Sequence, residues 1–214
     1  MKKSIISLAA LAIVASAATA HAQQNGSGFY AGVAIGQSKA TNVTEGDVSD
    51  FLRRNGYLNP VTSADRKDTT YRFTGGYQFN PNVAVEAIYT DIGSFGTRSS
   101  VTGGSVNADY NAKGFGIDLV LSAPMTEQFS VFGRVGAIQA KTEAAFSSSG
   151  VVGLSFVQGS KTKTGQHFGL GLQYNLSREL AVRGEVERFR KLGDASTGGD
   201  LEADAVNVGL IFRF

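Results

Sequence analysis

A chain of 214 residues with 20 Lys and Arg against 18 Asp and Glu has a formal charge of only +2, too even a balance for a nucleic-acid-binding face. It contains no cysteine, which excludes disulfides, thiolate metal sites and a lipid-modified N-terminal cysteine. Mean hydropathy is near zero, and no stretch beyond the first turns of sequence approaches the roughly 18 consecutive apolar residues of a membrane-crossing helix.

The first 22 residues read as a secretory signal peptide. Met1-Lys2-Lys3 is a positive start, Ile5 to Val14 an apolar stretch, and Ala20-His21-Ala22 a small-x-small cleavage site. Cleavage after Ala22 would remove Lys2 and Lys3 and leave 18 basic residues against 18 acidic ones. The expected organisation is a leader over 1–22 and one domain over 23–214.

Eight alternating segments follow, each near the roughly 9–11 residues a tilted strand needs to span a bilayer. A strand sends successive side chains to opposite faces. The first segment, about 28–40, places Phe29, Ala31, Val33 and Ile35 together. The second, about 68–80, sets Tyr71, Phe73, Tyr77 and Phe79 against Arg72, Thr74, Gly76 and Gln78. The third, about 83–93, sets Val83, Val85, Ala87 and Tyr89 against Glu86 and Thr90. The fourth, about 109–123, sets Phe115, Ile117, Leu119 and Leu121 against Gly116 and Asp118. The fifth, about 129–142, opposes Phe129, Val131, Val135 and Ala137 to Ser130 and Arg134. The sixth, about 164–175, opposes Phe168, Leu170, Leu172 and Tyr174 to Gly169, Gly171 and Gln173. The seventh, about 181–190, opposes Val182 and Val186 to Arg183, Glu185 and Glu187. The eighth, 206–214, aligns Val206, Val208, Leu210, Phe212 and Phe214, with Asn207, Gly209 and Arg213 opposite and Ile211 as the apolar exception.

The connections alternate between short (80–82, 124–128, 176–180) and long (41–67, 94–108, 143–163, 191–202). All three prolines, Pro60, Pro81 and Pro124, fall in connections, as proline must when strands are centrally paired. The first long connection carries a candidate short helix, with Asp47 or Ser49 as cap, Val48, Phe51 and Leu52 as its apolar face and Gly56 as its end. Residues 150–157 form an apolar run that reads as a strand pair continuing above the membrane or, alternatively, as an adhesive patch.

Eight antiparallel strands with short turns on one side and long loops on the other describe an up-and-down transmembrane β-barrel of the bacterial outer membrane. A soluble barrel would show the same alternation with the faces exchanged. A lipid-facing Lys or Arg near the midplane would cost about 2–4 kcal/mol, and the central positions of the apolar face carry none. The outward exceptions, Asp91 and Arg188, fall near the loop-side rim. The opposite face is thin, with Gly32, Gly36, Gly76, Gly116, Gly136, Gly169, Gly171 and Gly209, which suits a narrow interior filled by side chains. That interior would hold Arg72, Glu86, Asp118, Arg134, Arg183, Glu185 and Glu187. An unpaired charge there would cost several kcal/mol, so these residues are expected to pair, with Arg183 and Arg134 bridging Glu86, Glu185 and Glu187 and with Asp118 and Arg72 nearby.

Beyond the leader, His167 is the only histidine. Its parity points it inward, away from any lipid ester, so no Ser–His–acid hydrolytic set is expected. One His, no Cys and no carboxylates at loop-ligand spacing leave no expected metal or cofactor site.

The run Phe73-Thr74-Gly75-Gly76-Tyr77-Gln78-Phe79-Asn80-Pro81-Asn82-Val83-Ala84-Val85-Glu86 resembles the transmembrane-domain family of outer membrane protein A. So do Ala112-Lys113-Gly114 leading to Pro124, Phe132-Gly133-Arg134-Val135-Gly136, Ala181-Val182-Arg183-Gly184-Glu185 and the final Phe212-Arg213-Phe214. The likeness runs strand by strand through essentially all of 23–214. It implies an eight-stranded outer-membrane barrel serving envelope integrity and surface interactions. It also implies that Glu86, Arg134, Arg183 and Glu185 match a lumenal salt-bridge cluster thought to gate a narrow pore, or the close surroundings of that cluster. Val120 stands where the family has a lysine and Gln173 where it has a glutamate, which removes the alternative pairing a gate would use. Many family members add a periplasmic peptidoglycan-binding domain, which is not expected here.

The expectation is an integral, non-catalytic outer-membrane barrel with a structural and cell-surface role. A low-conductance pore is the first alternative and a loop-borne adhesin or ligand-binding barrel the second. Expected partners are outer-membrane lipid and lipopolysaccharide, periplasmic chaperones, the barrel-assembly machinery that would read Phe212 and Phe214, and a surface ligand held by the loops. No nucleic acid is expected.

Overall fold

The alternating segments pair side by side into one closed antiparallel sheet. The computed structural model describes residues 27–41, 45–54, 56, 58–150, 157–192 and 201–214. The leader with Ala20 and Ala22, and residues 151–156 of the apolar run, lie outside the described residues. The elements are β1 (Gly28–Ala40), α1 (Glu45–Arg54), β2 (Val61–Asp65), β3 (Lys67–Asn80), β4 (Val83–Val101), β5 (Gly104–Pro124), β6 (Phe129–Gly150), β7 (Val157–Asn175), β8 (Leu180–Arg190) and β9 (Ala203–Arg213).

Eight of the described strands form a ring in the order β1, β3, β4, β5, β6, β7, β8, β9 and back to β1. Closure leaves no free sheet edge, which is what a spanning sheet needs where no water can satisfy backbone groups. The seam sets Ala31 opposite Phe212 and Val33 opposite Leu210. The short turns at 81–82, 125–128 and 176–179 share one end with the start of β1 and the end of β9. The long connections share the other.

Four strands run further than a bilayer crossing requires, with 19, 21, 22 and 19 residues in β4 to β7. The expected connection 94–108 is therefore largely a hairpin that turns at Thr102 and Gly103, where Gly103 takes a left-handed φ of 85°. The described part of 143–163 is likewise paired strand, with the Ser105 and Ser149 hydroxyls 2.9 Å apart. These extensions lack a long apolar stripe because no hydrocarbon faces them. Backbone pairing with neighbours holds them instead.

The small β2 lies outside the ring and pairs with the β4 extension, Val61 opposite Ser100. The helix α1 begins at Glu45, so Asp47 and Ser49 sit inside it and do not cap it. Ser49 donates its hydroxyl to Thr62 on β2 at 2.9 Å. Leu52 is buried against Val101 and Val106, and Gly56, with φ 85°, donates its N–H to the Arg53 carbonyl at the helix end. The side chains of Val48 and Phe51 lie outside the described residues.

The outer face is a belt of large apolar side chains. Ile117 is 66% and Leu170 65% exposed. Around the short-turn rim, Phe29 stacks edge-on with Tyr77 at 4.8 Å, Tyr77 with Phe79 at 5.0 Å, and Phe212 with Phe214 at 5.3 Å. Such an aromatic girdle marks the membrane interface of a transmembrane barrel. Of the two outward charges expected from the sequence, Asp91 lies 3.9 Å from Lys113, and Arg188 donates from Nε and Nη2 to the two Asp204 oxygens, each at 2.7 Å.

The candidate functional site lies in the barrel interior

The interior is built by register. Glu86 on β4 faces Asp118 on β5, Asp118 faces Gly136 on β6, Gly136 faces His167 on β7, and His167 faces Phe189 on β8. Gly136 is the thin point of that row. A Cβ there would lie 2.1 Å from Asp118 Oδ1, so only glycine lets the Asp118 carboxylate turn across β6 towards His167. Gly169 plays the same part for Arg134, whose side chain lies 2.8 Å from where a Cβ would be.

All seven charged residues expected in the lumen are brought together and buried. Arg134 lies 3.0 Å from Glu86, 3.2 Å from Asp118 and 2.8 Å from Glu185. Arg183 donates to Glu86 Oε1 at 2.6 Å. Arg72 pairs with both Glu185 and Glu187. In detail the pairing differs from the expected one. Glu187 is held by Arg72, His167 and Asn207 and by neither Arg134 nor Arg183. Gln173, at a position where resemblance led to a glutamate, accepts from Arg183 Nη2 at 3.0 Å.

Three members went unassigned from the sequence. Tyr30 donates its hydroxyl to Glu86 Oε1 at 2.7 Å, and Asn207 donates to Glu187. His167 places Nδ1 2.9 Å from both Asp118 oxygens and Nε2 3.0 Å from Glu187. Inward parity was the available signal for all three. Because both imidazole nitrogens face carboxylates, both act as donors, which is the arrangement of an imidazolium. Three arginines then meet four carboxylates, and His167 is the fourth cation that neutralises the set.

An apolar cluster flanks this polar layer on each side, with Arg183 reaching past one of them towards the short-turn end. Towards the short turns, Tyr30, Ala84, Val120, Phe132, Ala181 and Ile211 form one buried apolar cluster. Val120, in place of a charged residue, belongs to it. The Arg183 guanidinium lies over the Phe132 ring, 4.6 Å from its centroid, so the layer and the cluster interlock. Towards the long connections, Ile92, Phe95, Ile138, Phe189, Leu192 and Leu201 anchor a second cluster, completed by small alanines. Below the first cluster a vestibule of about 1020 Å³ opens at the short-turn end, lined in part by Arg183, Gln173, Ser130 and Arg213. It reaches Tyr30, Val120 and Ile211, which belong to the first apolar cluster.

Chemically, each of the four carboxylates is engaged by arginine or histidine, and His167 is engaged at both nitrogens by acids. That is a charge-neutral packing layer, with its nitrogens and carboxylates turned on one another. Outside the membrane-spanning part, Glu143 accepts from Lys141 at 2.6 Å, and that contact holds its carboxyl below the usual carboxylate pKa.

The family model for the outer membrane protein beta-barrel domain matches residues 7–214. Outer membrane protein A of Salmonella typhi is 26% identical over the whole chain, and that of Shigella flexneri is 27% identical. The chain spans 56% of the length of each of these relatives. Among solved structures, Neisserial surface protein A is similar with a TM-score of 0.54 at 16% identity, covering 87% of this chain and 97% of that one. The outer membrane protein OprG from Pseudomonas aeruginosa gives 0.50 at 16% identity, covering 89% and 98%. The outer membrane protease OmpT from Escherichia coli gives 0.50 at 8% identity, covering 92% and 99%. At these identities the likeness concerns the fold.

Proposed function

Since the chain belongs to the outer membrane protein beta-barrel domain family and is a bacterial outer-membrane protein, we propose that it is a non-catalytic structural barrel with a sealed lumen, serving envelope integrity and carrying rigid hairpins to the cell surface. The single observation that carries this reading is the stacking of three interior layers: an apolar cluster, a neutral network of paired charges, and a second apolar cluster. Ions meet a packed obstacle at each level. Opening a path would require separating buried pairs, and breaking one such pair costs roughly 3–5 kcal/mol.

The absence of a catalytic role is supported by His167, whose two nitrogens are occupied by Asp118 and Glu187, so that no serine is served by it as a general base. The leader over 1–22 would direct export, and Phe212 and Phe214 would serve recognition during barrel assembly. A surface-recognition role is the second reading. It is favoured by the paired extensions of β4 to β7, which hold the loop-side residues on a stiff scaffold and off the membrane plane.

The test is single-channel recording and solute flux with the refolded chain, with acyl-chain analysis of the lipids afterwards. Flat current traces, retained solute and intact lipid support the proposal. Discrete current steps would restore the pore, and released fatty acid would restore an enzyme.

A further inference from the structure

Two pairs of lysines stand directly opposite each other on the outer face of the loop-side half, Lys39 with Lys67 and Lys113 with Lys141. Like charges directly opposite on neighbouring strands are destabilising, since their Cβ atoms lie only about 4.5–5.5 Å apart. The second pair is locally compensated: Asp91 lies 3.9 Å from Lys113, and Glu143 lies 2.6 Å from Lys141. Among the described residues, the first pair has no such ion pair and only the field of Asp204 acts on Lys39. Its cross-strand neighbour Asp204 faces Lys39, but both Asp204 oxygens already accept from Arg188. Across β3, β1, β9 and β8 the outward row therefore reads Lys67, Lys39, Asp204, Arg188, three cations for one acid.

The height of this row identifies what meets it. Lys39 follows Phe29 by ten residues along β1, and at about 3.3 Å per residue and a tilt near 40° it stands roughly 25 Å above it, the height of a barrel's lipid-facing band. Phe29 belongs to the aromatic girdle at the short-turn rim. Lys39, with Lys67 directly beside it, thus sits where the hydrocarbon of the outer leaflet gives way to head groups. Ile35 and Tyr71, four residues below the two lysines, still face lipid.

We propose that Lys39 and Lys67, flanked by Arg188, form a binding site for the phosphate groups of the phosphorylated glycolipid that makes up the outer leaflet. A phosphate placed between the two ammonium groups turns their repulsion into two charge-assisted hydrogen bonds. The acyl chains of the same molecule then lie along Ile35 and Tyr71. This rests on the reading of the barrel as spanning the outer membrane with its long connections outward.

The experiment is native mass spectrometry of the refolded full chain from nanodiscs of phosphatidylethanolamine doped with bisphosphorylated lipid A or with its phosphate-free form. The wild type should retain bisphosphorylated lipid A, and removing the phosphates should lower the bound fraction by roughly tenfold. K39A/K67A should show the same loss, K39R/K67R should bind like the wild type, and K113A/K141A should be unchanged. Equal retention of the phosphate-free lipid, or full retention by K39A/K67A, would overturn the proposal. Displacement of lipid A by millimolar inorganic pyrophosphate would assign the site to a soluble anion and equally overturn it. The wild type's two lipid arms decide the matter even if a variant misfolds. Failure of the wild type to show heat-modifiable mobility in gels would instead count against the membrane barrel itself.

Discussion

The His167 ring lies flat on the Phe189 ring, with centroids 4.5 Å apart and planes within 3°. The two residues are cross-strand partners on β7 and β8. One face of the imidazole thus rests on the loop-side apolar cluster while its edge donates to Asp118 and Glu187. His167 is where the greasy and charged layers of the interior join.

Replacing it separates the two contributions. His167→Phe keeps a flat ring against Phe189 but strips Asp118 and Glu187 of a donor and removes one positive charge from the network. The expected cost is about 3–5 kcal/mol, the range for breaking a buried pair from one side. Urea unfolding in lipid vesicles measures it. A stability unchanged from the wild type would mean that the imidazole is not one of the cations of the layer.

The same logic distinguishes buried from exposed arginines. Arg134 contacts three carboxylates from a fully buried position, so Arg134→Gln should destabilise by about 3–5 kcal/mol. Arg188 makes a well-formed bidentate pair with Asp204, yet that pair faces out at the rim. Arg188→Ala should therefore leave the unfolding curve little changed, because exposed pairs gain little over their hydrated state. Comparable losses in the two variants would contradict the assignment of inside and outside.

The layered interior also predicts how leakage would begin. Phe132→Ala thins only the cluster nearest the vestibule, so its planar-bilayer trace should stay as flat as the wild type's. F132A/R134A/F189A opens all three layers and should pass ions. Current steps from Phe132→Ala alone would mean that the charged layer is already a wet path.

The ring, its strand order and the faces of its strands follow from period-two alternation, since turning a strand by one residue would put Ile117 or Leu170 in the interior and Asp118 or Gly169 in lipid. The strand lengths do not follow from it. Above the membrane there is no hydrocarbon to select an apolar stripe, so the Gly-, Ser- and Thr-rich stretch through Gly103 and Ser105 looks like loop while its backbone pairs as strand. Interior membership was legible by parity for Arg72, Glu86 and Arg134. Who pairs with whom was not, because it depends on register across three or four strands. Asp118 reaches His167 only because Gly136 stands between them, and Glu187 meets Arg72 across the lumen, 115 residues away in sequence. The helix α1 starts before both expected caps for a local reason. Ser49 has the side chain of a good cap, but here its hydroxyl finds Thr62 on the neighbouring β2.

The barrel's orientation rests on large apolar side chains meeting hydrocarbon while the charges face one another inside. The chain contains no tryptophan, so a single Ile117→Trp supplies a clean fluorescent reporter at a position whose side chain points out from the middle of β5. In vesicles of lipid brominated along the acyl chains, its emission should be strongly quenched, and aqueous acrylamide should have little effect. Emission quenched by acrylamide and untouched by brominated lipid would contradict the orientation.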